Sequence, residues 1–549
     1  MTQRTRPVLY PILLAVFPVL SLYAQNGAEL RIVADLLPAL AVVAVAAVAV
    51  FGLTWAVLRN AHRAGLVTTL LILLFATAEG APGWADGILS ALSEYWVRSD
   101  VHTPPVLVLL VEGGVVAALS TLAIRKVGSP REWTRYLNGF AIILLILPIA
   151  RLTTSPTAPA EGASTAFPDL ASLPPTERRP DIYYIIMDGF ARGDILRETF
   201  GYDLEPFLRR LEARGFVVSR NSTSNYCQTP LSLSSSLNGT HLPPSSPNLF
   251  PEPRPDPAWF RKNAVVRALR PLGYRFVSFA SGFDFTEYPE NDLYLSPFPY
   301  IRAFHQLLLE ATPARRLIPS LLGEDSYTQT RERTNYLFDR LPEVAKLPGP
   351  KFTFAHILGP HPPFVFGADG SDASLHEKQY RLSDGDVYRY FYGGPSTYIP
   401  GYRNEVTYLV ARVDAMIDQI LANSAEPPII LLQSDHGSGL NLDMHSVQKT
   451  DHRERMSIMN AYFLPGGGRV GLTDAITPVN AFRVILNNEF GAHLDLLPDE
   501  NYYSTWDHPF EFISVTDRVK TIPASSTATP PTPPPPFPGP ATEAGTGGN

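Results

Sequence analysis

Hydrophobic residues are distributed very unevenly along the chain. Before residue 154 they form long apolar stretches, and after residue 180 they occur in short runs that alternate with polar segments. Each long stretch is near the length of about 20 residues that a membrane-crossing helix requires. The pattern therefore predicts an amino-terminal helical membrane domain of about five transmembrane helices, at 8–24, 35–58, 65–80, 105–124 and 137–153.

The charges between these stretches predict an orientation. Basic residues precede the first stretch and also lie between the second and third (Arg59, Arg63) and between the fourth and fifth (Arg125, Lys126). The other two connections, 25–34 and 81–104, are poorer in Lys and Arg. Because basic loops stay in the cytoplasm, we expect a cytoplasmic amino terminus and an extracytoplasmic region after residue 154. A cleaved signal peptide is the alternative for residues 1–24, and the four later stretches would still anchor the chain.

Composition divides the rest of the chain. Following a membrane domain at 1–153, residues 154–180 are rich in Pro, Ala, Ser and Thr and are predicted to be a linker. A globular domain is expected over 181–518. The Pro-rich and Gly-rich residues 519–549 are predicted to be a disordered tail.

The globular segment alternates strand and helix patterns, which favours an α/β fold with a mostly parallel central sheet. Short apolar runs predict strands at 182–187, 274–280, 352–358, 429–433 and 461–464. Apolar residues at helical spacing predict helices at 203–214, 402–422 and 477–489.

Charge and cysteine content exclude several classes of protein. A net charge of −7 gives no sign of nucleic-acid binding. The single cysteine, Cys227, excludes an internal disulfide framework and a multi-cysteine zinc site. The apolar stretches carry no central charged residue, which argues against a transporter.

Two predicted strands end in the same way. Residues 182–187 run into Asp188-Gly189, and residues 429–433 run through Ser434 into Asp435-His436-Gly437. One such ending could be a turn former. Two of them point to ligands that meet at the carboxyl edge of a parallel sheet, where such sheets bind ligands and where carboxylate and imidazole can hold a divalent cation.

A hydroxyl-rich stretch supplies a candidate nucleophile. Thr229 is predicted to be the N-cap of a helix, with Pro230 at its first position. This capping role is sufficient to explain the threonine. A hydroxyl held near a metal at a helix start would, however, also be an activated nucleophile.

Histidines add further candidates. His356 and His361 leave a predicted strand within a Gly/Pro loop and could be metal ligands or anion contacts. After Gly437 come His445, His452 and the run Arg453-Glu454-Arg455, which could supply further ligands or cations for an anionic substrate. Spacing alone does not choose among them.

In this order, the motifs resemble the alkaline-phosphatase superfamily, and within it the sulfatase-like branch. The likeness covers roughly residues 180–490 and is carried by Asp188, Thr229, His356/His361 and Asp435-His436-Gly437. The membrane-bound lipoteichoic acid synthases and phosphoethanolamine transferases are similar in having amino-terminal membrane helices and an extracytoplasmic catalytic domain.

The resemblance implies a role for each matching residue. It implies Thr229 as nucleophile, in the context Thr-Pro-Leu-Ser-Leu, and a metal held by Asp188, Thr229, Asp435 and His436. His361 is implied as a contact for substrate or for a second metal, with His356 beside it. A further histidine is matched by His445, with His452 as the competing choice.

Two departures narrow the resemblance. Sulfatases proper convert the cysteine or serine of Cys/Ser-x-Pro-x-Arg to formylglycine, whereas Cys227-Gln228-Thr229-Pro230-Leu231 places proline one position late and lacks the arginine. The phosphoethanolamine transferases contain periplasmic disulfides, which a single cysteine forbids. In this respect the chain is nearer to the lipoteichoic acid synthases.

The sequence thus predicts an enzyme of the bacterial cytoplasmic membrane that uses a divalent metal (Zn, Mn or Mg). It would move a phospho-head group, such as phosphoglycerol or phosphoethanolamine, from a membrane lipid donor to a cell-envelope glycan or lipid acceptor through a phospho-threonine. A sulfate-ester hydrolase and an inactive, membrane-anchored binding protein are the alternatives.

Overall fold

A computed structural model describes most of the chain. The described residues are 7–25, 33–77, 129–154, 167–168, 170, 178–243, 260–298, 308, 326–373, 380 and 382–520. Every candidate site residue lies within these ranges. The predicted linker and tail fall largely outside them, so the domain boundaries stay predictions.

The amino-terminal region is helical. Its described helices are α1 (Tyr10–Gln25), α2 (Val33–Leu58), α3 (Ala61–Thr77) and α4 (Pro130–Thr154), and α1 contacts the other three. Within α2 and α4, Leu36–Leu58 and Pro130–Leu152 are long and apolar enough to cross a membrane, whereas α1 and α3 are apolar but shorter. The apolar stretch 105–124 lies outside the described residues, so the count of five helices stays a prediction.

A seven-stranded sheet forms the centre of the globular region, in the order β2-β7-β6-β1-β5-β3-β4. Strand β1 pairs in parallel with β5 and β6, and β3 pairs in parallel with β5 and β4, while β7 and β2 are antiparallel additions at one side. The mostly parallel sheet is therefore confirmed. The strands are β1 (Ile182–Met187), β2 (Val217–Val218), β3 (Arg275–Phe279), β4 (Leu293–Leu295), β5 (Lys351–Ile357), β6 (Ile429–Gln433) and β7 (Asn460–Phe463), with a separate pair β8 (Tyr502–Tyr503) and β9 (Ile513–Ser514).

Both faces of the sheet are buried, which explains why β1 is apolar throughout. Alternate side chains of a strand point to opposite faces. Tyr183, Ile185 and Met187 belong to the core on one face, and Ile182, Tyr184 and Ile186 belong to the core on the other. Burial on both faces is typical of parallel strands.

Helices cover these two faces. The core that contains Tyr183 includes side chains of α5 (Gly193–Phe200), α6 (Glu205–Ala213), α9 (Ser326–Arg340) and α11 (Pro395–Asn423). The core that contains Tyr184 includes side chains of α7 (Thr229–Asn238), α8 (Ala264–Leu269) and α13 (Ala481–Phe490). The described residues also form three shorter helices: α10 (Gly385–Tyr392), α12 (His452–Met456) and α14 (Thr516–Lys520).

The structure corrects two helix starts. Helix α11 begins at Pro395, seven residues before the predicted 402, because Pro395 occupies a first-turn position where its missing N–H costs nothing. Helix α7 begins at Thr229 itself, and Gln228 is its N-cap in extended conformation. The prediction of Thr229 as N-cap is therefore wrong by one residue, and its hydroxyl is not the capping group.

A buried glutamate of α11 anchors a loop near the sheet edge. Glu405 Oε2 accepts a hydrogen bond of 3.0 Å from the Val365 amide. Burial raises the pKa of Glu405 from its usual 4.5 to about 8, although the amides of Val365 and Phe366 oppose the shift.

We expect this glutamate to make the stability of the protein depend on pH. Between about 4.5 and 8 the folded protein binds more protons at Glu405 than the unfolded chain does, so stability falls as the pH rises through that window. Glu405→Gln should reduce the fall in the melting temperature of the full chain between pH 5 and pH 8. Glu426→Gln, at a glutamate whose side chain is 63% exposed, is the matched control. An unchanged slope in the Glu405 variant would contradict the assignment.

Candidate active site and metal centre

Three strands bring the candidate ligands to one edge of the sheet. In the register of the sheet Met187 lies opposite Ile357, and Ile186 lies opposite both His356 and Gln433. Asp188 directly follows β1, and Asp435 and His436 follow β6 one residue further on, so these side chains meet at the carboxyl edge. His436 Nε2 lies 3.5 Å from Asp188 Oδ1 and 3.4 Å from Asp435 Oδ2.

The two buried carboxylates are only partly satisfied by hydrogen bonds. Asp435 Oδ1 accepts from the amides of Gly189, at 3.1 Å, and His436, at 3.0 Å. Asp435 Oδ2 and Asp188 Oδ1 are buried acceptors that no donor from the described part of the chain reaches. A buried anionic oxygen without a donor is costly, and a cation would remove that cost.

The geometry fits a metal ion at this position. Asp188, Asp435 and His436 each offer one ligand atom, and these atoms lie within 4.8 Å of one another. Two carboxylates and one imidazole form a mixed O/N donor set, which suits several divalent cations. These three residues could therefore hold a divalent metal.

The glycines that follow Asp188 and His436 are each required by the local backbone structure. Gly189 has φ of +69°, in the left-handed region that favours glycine, and turns the chain directly after Asp188. Gly437 is packed so tightly that a Cβ there would collide with the backbone oxygens of Glu454 and Ser457. Each glycine thus allows the backbone conformation of the loop that carries the neighbouring candidate metal ligand.

Thr229 enters the same cluster from the start of helix α7. Its Oγ1 lies 3.1 Å from His436 Nε2. His436 Nδ1 lies 2.9 Å from Gly437 O, a carbonyl that can only accept, so Nδ1 carries the proton and Nε2 presents a lone pair. The Thr229 hydroxyl therefore donates to His436.

His436 is kept in the neutral form that this hydrogen bond requires. Burial lowers the pKa of His436, and the nearby Arg455 guanidinium lowers it further. Asp188 is kept in its ionised form. Burial opposes its ionisation, but the neighbouring imidazoles of His361 and His356 hold the pKa of Asp188 below its ordinary value.

His356 lies on β5 beside Asp188. Its Nε2 is 3.2 Å from Asp188 Oδ2, although the orientation makes no hydrogen bond. On its other side, His356 Nδ1 is hydrogen-bonded to Thr286 Oγ1 at 2.9 Å. Thr286 thereby orients the ring toward the carboxylate.

His361 faces a second group of charged residues, which contains an aspartate that the sequence did not indicate. His361 Nδ1 donates to Pro362 O, and His361 Nε2 lies 3.9 Å from Asp384 Oδ2. Asp384 also accepts from Arg455 Nη1 at 2.6 Å. Burial opposes ionisation of Asp384, but Arg455 and then His361 and His436 lower its pKa below the ordinary value.

Sequence reasoning missed Asp384 because it follows no strand. It is the N-cap of α10 and accepts from Gly385 N, so its local sequence is that of an ordinary helix start. Arg455 was one of several charged residues left open after Gly437. The structure distinguishes it, since the side chain is buried and donates from Nε to Cys227 O at 2.9 Å, while its Nη2 lies 3.2 Å from His436 Nε2.

The structure does not bring the other histidines into the cluster. His445 has a 54% exposed side chain, and its Nδ1 lies 2.7 Å from Asp507 Oδ2. His452 is buried elsewhere and donates from Nε2 to Val447 O. Cys227 is buried and donates to Ser504 O, and burial raises the pKa of its thiol, which keeps the sulfur protonated.

Solved structures with a similar fold include transferases and sulfatases. An EptC periplasmic domain from Escherichia coli in complex with Zn is 12% identical, with a TM-score of 0.41, over 64% of this chain and 98% of that one. The integral membrane lipooligosaccharide phosphoethanolamine transferase A from Neisseria meningitidis is 14% identical, with a TM-score of 0.39, over 88% and 95%. A 2-O GAG sulfatase is 12% identical, with a TM-score of 0.36, over 60% and 73%.

At these identities and TM-scores the likeness is too distant to carry a substrate or a cofactor over to this chain. Among curated proteins, none matches the chain by sequence. The sulfatase family model, in contrast, matches residues 180–468, which is more than half of the 549 residues and includes every residue of the cluster. The chain therefore belongs to the sulfatase family, and it is an enzyme of the sulfatase-like phosphotransferase or ester-hydrolase type.

Proposed function

We propose that the protein is a metal-dependent transferase that moves a phospho-head group from a membrane lipid to a cell-envelope acceptor through a phospho-threonine. The observation that carries the proposal is the contact of 3.1 Å between Thr229 Oγ1 and His436 Nε2. It places a hydroxyl at a helix start, against a cluster of ligand atoms that includes two buried oxygens without donors.

The metal would be held by Asp188, Asp435 and His436, with the Thr229 hydroxyl beside them. When bound, a divalent ion would lower the pKa of a neighbouring hydroxyl and polarise the phosphoryl oxygens of the substrate. The donor set suits Zn, Mn or Mg, and the proposal extends to all three.

The chain's own residues would carry out the transfer. Thr229 Oγ1 attacks phosphorus, a bond from Oγ1 to phosphorus forms, and the bond from phosphorus to the lipid alcohol breaks. The hydroxyl proton is transferred to the departing alcohol oxygen. In the second step an acceptor alcohol or water attacks phosphorus, the bond from Oγ1 to phosphorus breaks, and the proton of the attacking group returns to Oγ1. The amino terminus of α7 adds the positive end of a helix dipole next to the attacked group.

Two neighbouring groups would serve the anionic substrate. His361 uses Nδ1 to bind the Pro362 carbonyl, so Nε2 is the ring nitrogen that could exchange a proton with the departing or arriving alcohol. Arg455 is fully engaged with Asp384, His436 and two backbone carbonyls, so it acts by holding the two loops that carry Thr229 and His436.

The apolar helices support a lipid as donor. Leu36–Leu58 and Pro130–Leu152 have the length and composition of membrane spans. We place the protein in the bacterial cytoplasmic membrane, as a multi-pass protein with a cytoplasmic amino terminus and an extracytoplasmic catalytic domain, because the basic residues lie in alternate connections.

A sulfate-ester hydrolase is the second candidate, since the matching family model is that of the sulfatases. The discriminating observation is the state of residue 227. Formylglycine in the residue-227 peptide, detected by mass spectrometry, would favour the hydrolase and overturn the choice of Thr229.

We expect Thr229→Ala to lower the rate of diacylglycerol release by at least about 10³-fold, because it removes the nucleophile. The measurement uses the full chain in detergent with labelled phosphatidylglycerol or phosphatidylethanolamine. Mass spectrometry of the wild-type protein should find the phospho-group on Thr229, and Thr229→Ser should retain part of the activity. Thr407→Ala, on α11, is the matched control. Wild-type rates in Thr229→Ala would contradict the mechanism.

We also expect Asp435→Asn to weaken metal binding by at least the roughly 10–100-fold that accompanies removal of an outer-shell partner. The metal content after dialysis and the rise of the melting temperature on adding metal both report the affinity. Asp507→Asn, at an aspartate whose side chain is 66% exposed, is the control. Equal metal content in the wild type and the Asp435 variant would remove Asp435 from the ligand set.

A further inference from the structure

A second, strongly basic cavity lies beside α8, away from the metal cluster. It is a cleft of about 470 Å³, and its lining includes Phe276 of β3 and Tyr288. Among the described residues that line it, four are cationic, and they define what we call the basic cleft: Arg261, Lys262, Arg267 and Arg270. Glu290 is the one acidic side chain among those residues, and Arg270 Nη1 also lies 3.4 Å from Asp292 Oδ1. This excess of positive charge contrasts with the net charge of −7 of the whole chain.

The guanidinium of Arg261 has unused hydrogen-bonding capacity. An arginine offers five N–H donors. Arg261 Nη2 makes one long hydrogen bond of 3.4 Å to Asp284 O, and its Nε, which is buried, makes none. Many other arginines of the globular region are fully paired, such as Arg214, which contacts both Asp414 and Asp418 at 2.7 Å.

The basic cleft is connected to the catalytic cluster through one short turn. Arg261 contacts the first residue of the 3-10 turn Asp284–Thr286. The last residue of that turn, Thr286, holds His356 Nδ1, and His356 lies against Asp188. A ligand in the basic cleft would therefore lie beside the turn that positions His356.

We propose that the basic cleft is a subsite for a phosphate-bearing anionic group of the substrate, separate from the phosphorus that reacts. Arginine and lysine side chains together match the charge and geometry of phosphate oxygens. The volume of about 470 Å³ exceeds that of a bare phosphate and admits the glycerol or sugar that carries it. This inference deepens the proposed function and rests on it for the identity of the substrate.

The first test measures binding without turnover. The full chain carrying Thr229→Ala, with its divalent metal supplied, is titrated in detergent, so that the metal centre contributes equally in the parent and in the basic-cleft variants. The two probes are sn-glycerol 1-phosphate and mixed micelles that contain phosphatidylglycerol, with phosphatidylcholine micelles as blank. Adding Arg261→Gln and Lys262→Gln should weaken binding about tenfold or more, because two charged hydrogen-bond donors are lost.

Matched variants keep this test interpretable. Arg209→Gln with Arg469→Gln makes the same change of net charge on exposed side chains outside the basic cleft and should leave binding unaltered. Lys262→Gln alone, at an exposed side chain, should give a smaller loss even if the double variant folds poorly. Binding of the soluble ester identifies a free phosphate group as sufficient, and binding of the micelles alone identifies a lipid head group. Equal affinities in parent and basic-cleft variants for both probes would overturn the proposal.

The second test separates this inference from the proposed function. In the chain with Thr229 intact, the basic-cleft variant should raise KM for phosphatidylglycerol micelles about tenfold, with little change in kcat. The rate on bis(p-nitrophenyl) phosphate, which needs only the metal centre, should not change. Absence of turnover in every variant would reject the transferase and leave the binding result standing. Normal turnover with an unchanged KM in the basic-cleft variant would reject the subsite alone.

Discussion

Buried negative charge at the carboxyl edge of the sheet is the constraint on which the rest of the site depends. Asp188, Asp384 and Asp435 are all buried there, and the guanidinium of Arg455 lies among them. Three carboxylates and one guanidinium leave a formal charge of −2 if the imidazoles are neutral. Such a charge cannot stay uncompensated in a low-dielectric interior. A divalent cation would have the charge that balances it, so metal binding and folding of this edge would be coupled.

The sheet converts short local motifs into this cluster. β1 lies between β5 and β6, so residues that are more than 240 positions apart, Asp188 and Asp435, become neighbours through the strand register alone. Because parallel strands end at the same edge, this part of the site could be predicted from where apolar runs stop. The fold class and most strand positions could be predicted for the same reason.

The parts that could not be predicted depend on tertiary contacts. Asp384 has the local sequence of an ordinary helix cap, and its role comes from Arg455 and His361, which contact it across the fold. The helix start at Thr229 differed from expectation by one residue, and this difference matters, because Gln228 at the N-cap leaves the threonine hydroxyl available to His436. His445 was predicted as a site residue from its order along the chain. That order does not show whether a side chain points into the site, and the His445 side chain is exposed.

Arg455 would also bear on the rate of the proposed reaction. Its guanidinium joins Cys227 O, two residues before Thr229, to Gly437 O, directly after His436, while its own carbonyl accepts from Gly437 N. The loops that carry Thr229 and His436 are thereby fixed to one planar group before any substrate arrives. With Thr229 as the proposed nucleophile, the entropic cost of positioning its hydroxyl would be met during folding and not in each turnover, which is the effect measured as a high effective molarity.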